Sequence, residues 1–420
     1  MNTTITTQRG LNKINFLEIE EIPFWNTAEE EEIRMHKIHV YPAKFPSLIA
    51  QKAFEYARRK IRVNTVADIF CGCGTVAVEA RRKGINFWGC DINPVAVLIA
   101  QAKTANYDVR AVQIFEARII ERVKRQDPIV NYDEANARIV YWFYEAQYND
   151  LARLKNAIMM ETQDDEYRKL FLCIFSSILK GTSKWLTKSI KPQIDPNKRP
   201  SNVIEQFGKQ MRVVIRAITE AAYSEEPHQV NILHQDVLTI EQHEFADMIV
   251  TSPPYVTSYE YADLHQLSAL WLNYAEDHTE LRRDSIGSSY GTDGEDYQDL
   301  LPTAKKIVDY FTPGLSQARS VARYYDDMRK FAEKSYEILV PGGIAVFVIG
   351  DTELKERHIE NAKCLCEAMI ECGYTIREIS KRKVQNKFLP SHRGKDGKFS
   401  SDKKDRAIYS QEYIIIGRKG

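Results

Sequence analysis

Residues 64–74 read NTVADIFCGCG and run without a break into TVAVEARRK, Thr75–Lys83. A short apolar run rich in β-branched residues predicts a buried strand over Asn64–Phe70. The glycine-rich turn Cys71-Gly72-Cys73-Gly74 follows, and a helix is expected over Thr75–Lys83. Glycine permits a sharp turn and lets a ligand approach the backbone closely. A second apolar run, Ile85–Cys90 (INFWGC), ends at Asp91, 17 residues after Gly74. A carboxylate there can accept hydrogen bonds from two ribose hydroxyls, so the pattern has the form of a nucleoside-cofactor site.

Further runs extend the pattern. Val230–Leu233 precedes His234-Gln235-Asp236, Ala246–Val250 leads into Thr251-Ser252-Pro253-Pro254-Tyr255, and Ile344–Ile349 follows Pro341-Gly342-Gly343. A helix is expected over Tyr324–Leu339, stopped by that Pro-Gly-Gly. Strands alternating with helices predict a mostly parallel sheet covered on both faces. Thr375–Ile379 and Glu412–Ile416 read as a terminal hairpin around a basic loop. Two segments are too long for plain connections, 105–228 and 256–320. The first is rich in helix formers.

With 420 residues the chain has ample length for a large core. Lys plus Arg and Asp plus Glu each number 58, so net charge says nothing about a polyanionic partner. Between Lys381 and Arg406, however, ten basic residues face three acidic ones, a local +7. No apolar run approaches the ~20 residues of a membrane span. The polar stretch from Met1 to Phe16 has no signal-peptide core, and a cytoplasmic location is expected. The seven cysteines lack zinc-site spacing and read as small buried hydrophobes, so no metal is expected.

The glycine loop alone does not separate a nicotinamide dinucleotide from S-adenosylmethionine. The acid Asp68 inside the loop motif can face the amino group of a methionine moiety. Ser-Pro-Pro-Tyr narrows the choice. The loop should project from the carboxyl edge of the sheet, where open α/β folds bind ligands. Its hydroxyl and carbonyl oxygens can accept from one exocyclic amine, and its tyrosine offers a stacking face. An amine methyltransferase uses such a loop, whereas a dehydrogenase leaves it unexplained.

With these elements the chain resembles the S-adenosylmethionine-dependent DNA amino-methyltransferases, which modify cytosine N4 or adenine N6. The resemblance rests on Asp68–Gly74 (DIFCGCG), Asp91–Pro94 (DINP), Thr251–Tyr255 (TSPPY), the Pro341-Gly342-Gly343 turn and the upstream His39–Pro46 (HVYPAKFP). It implies a Rossmann-like α/β fold: a mostly parallel seven-stranded sheet, a C-terminal antiparallel hairpin and a helical insertion. The implied organisation is an N-terminal extension, 1–35, a catalytic domain, 36–104 with 229–420, and the insertion, 105–228, a possible target-recognition region.

The resemblance also implies roles. Lys44, Phe45, Asp68, Phe70, Gly72, Gly74, Asp91, Asn93 and Asp236 would contact S-adenosylmethionine, with Asp68 at the methionine end and Asp91 on the ribose. Ser252, Pro253, Pro254 and Tyr255 would hold the target amine and base, and Tyr259 and Tyr261 are further aromatic candidates. Lys381, Arg382, Lys383 and Arg393 are candidate phosphate contacts, followed by Lys184, Lys188, Lys191, Lys198 and Arg199, and by Arg282-Arg283. Within the family a serine before Pro-Pro-Tyr leans towards cytosine N4, and an acid or asparagine towards adenine N6. The expected reaction is direct methyl transfer to an amine in a short DNA site, with the base extruded from the duplex and no covalent enzyme intermediate. A restriction-modification or phage-defence setting, with a cognate endonuclease, goes with it. The alternatives are adenine N6 methylation and methylation of guanine N2 in tRNA.

Overall fold

Seven strands form the central sheet: β1 (Thr65–Asp68), β2 (Asn86–Asp91), β3 (Val230–His234), β4 (Ala246–Thr251), β5 (Leu339–Ile349), β6 (Thr375–Lys383) and β7 (Gln411–Arg418). Their order is β3-β2-β1-β4-β5-β7-β6. Strands β1 to β5 pair in parallel, while β7 runs antiparallel between β5 and β6. This computed structural model describes the chain except residues 1–3, 27–31, 42–43, 126–131, 190, 222, 226–227, 257–260, 278, 283–284, 287, 289–298, 313–315, 355–356, 385–391, 394–398, 401–405 and 408–410.

The order reverses at β1/β4, so the loops after β1 and β4 open on opposite sides of one crevice. The central strands are buried on both faces, as their continuous apolar runs require. Helices α1 (Ser47–Arg58), α2 (Thr75–Arg82) and α3 (Pro94–Thr104) serve the β1–β2 half. Helices α10 (Ser316–Ile338) and α11 (Asn361–Glu371) serve the other.

Between them the described residues of 105–228 form five helices, α4 (Val109–Arg125), α5 (Ala137–Trp142), α6 (Glu145–Glu161), α7 (Asp165–Thr182) and α8 (Val203–Glu220). Their core is continuous with the sheet domain. Phe171, Phe175, Trp142 and Phe207 share one apolar cluster with Val78, Leu98 and Ile99 of α2 and α3, and with Leu270 and Trp271 of α9 (Gln266–Trp271). The insertion is therefore a layer fused onto α3.

Three expectations need correction. Pro341-Gly342-Gly343 does not stop the preceding helix. That helix ends at Ile338, and the three residues lie inside β5, where Gly342 takes a φ of 79° and the pairing with β4 shifts register. Helix α10 starts at Ser316, two turns before the expected Tyr324.

Third, Lys381, Arg382 and Lys383 are not in a loop. They are the end of β6. The N-terminal segment runs along this outer strand and satisfies its edge: Ile5 exchanges backbone hydrogen bonds with Ile376, Lys381 N–H donates to Glu20 and Ile22 N–H donates to Lys381.

Candidate active site

The loop after β1 is shaped by its own backbone. Gly72 and Gly74 have φ of 50° and 77°, the left-handed region that costs other residues 1–2 kcal/mol or so. Their surroundings differ. A Cβ on Gly74 would lie 2.7 Å from the Ala100 side chain and 2.8 Å from its Cα, so Gly74 lets α3 approach the loop. A Cβ on Gly72 would find nothing nearer than the Tyr41 hydroxyl at 3.7 Å. Gly72 thus faces the open side.

Asp91 clasps this loop: Oδ2 accepts from Gly72 N–H at 2.7 Å and Oδ1 from Asn93 N–H at 2.8 Å. Each oxygen keeps a lone pair for a ribose hydroxyl. Asp68 is 3% exposed and accepts from the Thr251 hydroxyl at 2.6 Å and from Phe70 N–H at 3.2 Å. Burial outweighs both hydrogen bonds and pushes its carboxyl up to about 7. A cationic amine beside it would draw it back to the ionised form. Asp236, two residues past the end of β3 on the same edge, caps the short turn Val237–Thr239 through Leu238 N–H. A glycine with open space, two carboxylates with spare acceptors and a third at the next strand end fit an S-adenosylmethionine molecule lying along the edge.

Other residues in the predicted cofactor set have structural duties. Asn93 is buried. Its Oδ1 caps α3 through Val95 and Ala96 N–H, and its amide donates to His265 Nδ1 at 2.8 Å. Phe70 packs against Phe331, ring centroids 5.1 Å apart. Lys44 is ion-paired with Glu32, and Phe45 packs against the cluster around Trp25 and α1.

The loop after β4 is shaped from a distance. Ser252 Oγ donates to the Val348 carbonyl of β5 at 2.9 Å. Its proton is thereby spent, and its lone pairs are left as acceptors. The Tyr324 hydroxyl donates to the Pro254 carbonyl at 2.8 Å, while among the described residues the Pro253 carbonyl takes no hydrogen bond. Tyr255 donates to Glu412 Oε1 at 3.1 Å, and burial with the adjacent Glu412 charge pushes its phenol well above the usual range. Because Thr251 bonds Asp68, the two loops meet across the β1/β4 pair.

The expected cation set is largely dispersed. Arg382 is 2% exposed and ion-paired with Glu412, directly opposite on β7. Lys381 is also buried and donates to the Leu17 carbonyl at 2.8 Å. Neither side chain is presented to a phosphate; of the three at this strand end only Lys383 is exposed, 3.3 Å from Glu21, while Lys188, Lys191 and Arg199 are exposed in the insertion. Lys198 donates to the carbonyls of Lys180 and Trp185, and Arg282 is ion-paired with Asp263. Arg393 belongs to a short strand, His392–Arg393, whose side chains lie outside the described set. Tyr259, Arg283 and the Tyr261 side chain lie outside it too.

Sequence reasoning missed Tyr41, His265, Tyr324 and Glu412. His265 is buried, is pushed down to about 4 by desolvation, and packs on Tyr41 with centroids 4.9 Å apart. Only the position of Tyr41 inside HVYPAKFP could have drawn notice. The other three are set by tertiary contact.

Among the described residues no helix is long and apolar enough to cross a membrane. The family model described as DNA methylase, for N6 and N4 amino-methyltransferases, matches residues 6–102 and 246–420, more than half of the chain. The type II methyltransferase M.MvaI of Kocuria varians is 26% identical over 410 residues, covering 88% of this chain and 87% of that one. The type II methyltransferase M.AvaI of a Nostoc strain is 23% identical over 284 residues, 57% of this chain and 54% of that one. A solved S-adenosylmethionine-dependent methyltransferase from Methanosarcina mazei is 10% identical, covers 91% of this chain and 98% of its own, and has a TM-score of 0.32. The sheet order, the carboxylate-and-glycine edge and the family match converge: the chain belongs to the N6/N4 DNA methylase family, S-adenosylmethionine-dependent enzymes that methylate amino groups of DNA bases.

Proposed function

We propose that the chain methylates the N4 amine of cytosine at a short DNA site. The observation that carries this is the commitment of the Ser252 hydroxyl proton to Val348. What remains is an acceptor oxygen, beside a Pro253 carbonyl that takes no hydrogen bond among the described residues, and no acid lies within Ser252–Tyr255. Two such oxygens accept both hydrogens of one aromatic amine.

Aromatic amines are poor nucleophiles because the lone pair is delocalised into the ring. Accepting the two N–H bonds at Ser252 Oγ and Pro253 O draws the nitrogen towards a tetrahedral shape and aims its lone pair. When bound, S-adenosylmethionine supplies an electrophilic methyl group, held by Asp91, Asp236, Asp68 and the Gly72 backbone. Positioning and fixed dipoles then supply most of the rate. Extruding the base costs a few kcal/mol. Stacking on Tyr255 returns roughly 1–3 kcal/mol.

For the DNA path we propose the insertion, 105–228. Tyr141 and Tyr144 are 49% and 44% exposed, with Arg138 over the first ring and Lys184 over the second. Arg138 and Trp142 also bond Gln266, the residue after His265, which ties this surface to the cofactor edge. A cytoplasmic restriction-modification role with a partner endonuclease is the setting we propose.

The test is long-read sequencing of plasmid from cells expressing the protein, with a Ser252→Ala control. An N4-methylcytosine mark at one motif, absent in the control, is expected. A mark on adenine overturns the choice of base. No mark in DNA, with label entering RNA, overturns the substrate.

A further inference from the structure

Tyr255 is held at three points. The carbonyl of the residue before it is bonded by Tyr324. Its ring lies over Gly350, where any Cβ would come within 2.9 Å of Cε2. Its hydroxyl meets Glu412, whose other oxygen is ion-paired with Arg382. Glu412 and Arg382 face each other in the β7/β6 register. Arg382 is almost wholly buried, and Glu412 keeps about a fifth of its side chain exposed. None of these groups was needed to explain how the amine or the cofactor is held.

A tyrosine ring has two free torsions, and rigid aromatic faces bind at low entropic cost. The hydroxyl lies on the axis of the second torsion, so its bond to Glu412 pins the direction of the ring through the first torsion, while the close fit of the ring edge against Gly350 limits rotation about the second. We infer that Glu412, oriented by Arg382, is a positioning residue that locks the Tyr255 ring as a preformed stacking face for the extruded base. The inference rests on the base-holding role proposed above for the Ser-Pro-Pro-Tyr loop. The phenol serves as an anchor to the sheet and not as a contact to the base. Arg382 thereby acts through Glu412, and the charge of the β6 end belongs to the catalytic loop instead of the DNA backbone.

The experiment compares wild type, Glu412→Ala, Glu412→Gln, Tyr255→Phe and the Tyr255→Phe/Glu412→Ala double variant. Each is measured for methyl transfer to plasmid DNA, for S-adenosylmethionine affinity by calorimetry, and for urea midpoint. Loss of the lock is expected to lower kcat about 10-fold or more in Glu412→Ala, since small misplacements cost up to about 100-fold. The KM for S-adenosylmethionine and its affinity stay unchanged. Gln restores kcat to within about 3-fold, because its amide still bonds the phenol. The double variant matches Tyr255→Phe alone in kcat, as residues acting through one bond do, while its urea midpoint falls with that of Glu412→Ala because Arg382 loses its partner in both. Full kcat in Glu412→Ala, or additive losses of kcat in the double variant, overturns the lock. A wild type that transfers no methyl to any plasmid overturns the proposed function itself, and the two failures are thus told apart.

Discussion

At the end of β1, the cofactor loop is bonded by near neighbours in sequence: Gly72 to Asp91, 19 positions away, and Phe70 and Asn93 to carboxylates two positions away. At the end of β4, Ser252 is bonded 96 positions away, Pro254 70 positions and Tyr255 157 positions. The first loop is held mainly by the β1/β2 pair, with one bond, Thr251 to Asp68, crossing to β4. The second is suspended from β5, β7 and α10. The difference predicts which substitutions stay confined. Changes to the polar side chains of the first loop should alter cofactor affinity more than turnover, and changes around the second should alter turnover more than cofactor affinity.

The largest effect is expected at Ser252. Ser252→Ala should cut methyl transfer by about 100-fold or more, the scale of losing a fixed polar group at a reacting centre, with calorimetric cofactor affinity unchanged. Equal loss in both would erase the contrast. Asp91→Ala should weaken S-adenosylmethionine binding about 10- to 100-fold, the worth of its charged hydrogen bonds, with DNA binding retained in a gel-shift assay.

The two glycines sharpen the contrast within the first loop. Gly74→Ala meets both a left-handed φ and Ala100, and should cost about 3 kcal/mol or more in urea unfolding. Gly72→Ala meets the φ alone and should cost about 1–2 kcal/mol.

The smallest effect is in pH. Burial pushes the Asp68 carboxyl from its ordinary 3.8 up to about 7, so between these values the folded chain holds a proton that the unfolded chain releases. Its contribution to stability is therefore lost as pH rises from about 4 to about 7. A cation beside Asp68 favours its ionised form. Cofactor affinity should accordingly climb by less than about tenfold between pH 6 and pH 7 and level off above it. Calorimetry in two buffers of different ionisation enthalpy should detect the released proton, and Asp68→Asn should abolish that component.

The same contrast explains what could be read in advance. The alternation of strands and helices, the sheet type and the cofactor edge were legible because each signal is local: an apolar run, a glycine turn, an acid at a strand end. Glu412, Tyr324 and His265 were not, because nothing near them in sequence marks their partners. Lys381 and Arg382 were misread for a related reason. A count of charges ignores the strand period, and both side chains sit on β6 where the N-terminal segment and β7 cover them. That residues 4–26 would line this edge had no signal of its own.

The antiparallel strand β7 has a consequence for synthesis. Residues 411–418 slot between β5 and β6, so both older strands wait with an open edge until these eight residues have left the ribosome. A nascent chain that stops short of residue 411 already contains every carboxylate and glycine assigned to S-adenosylmethionine. It lacks the acid that anchors Tyr255. The residues proposed for the cofactor and the residue proposed to anchor Tyr255 are thus made at different times along the growing chain, the second only with the strand that completes the sheet.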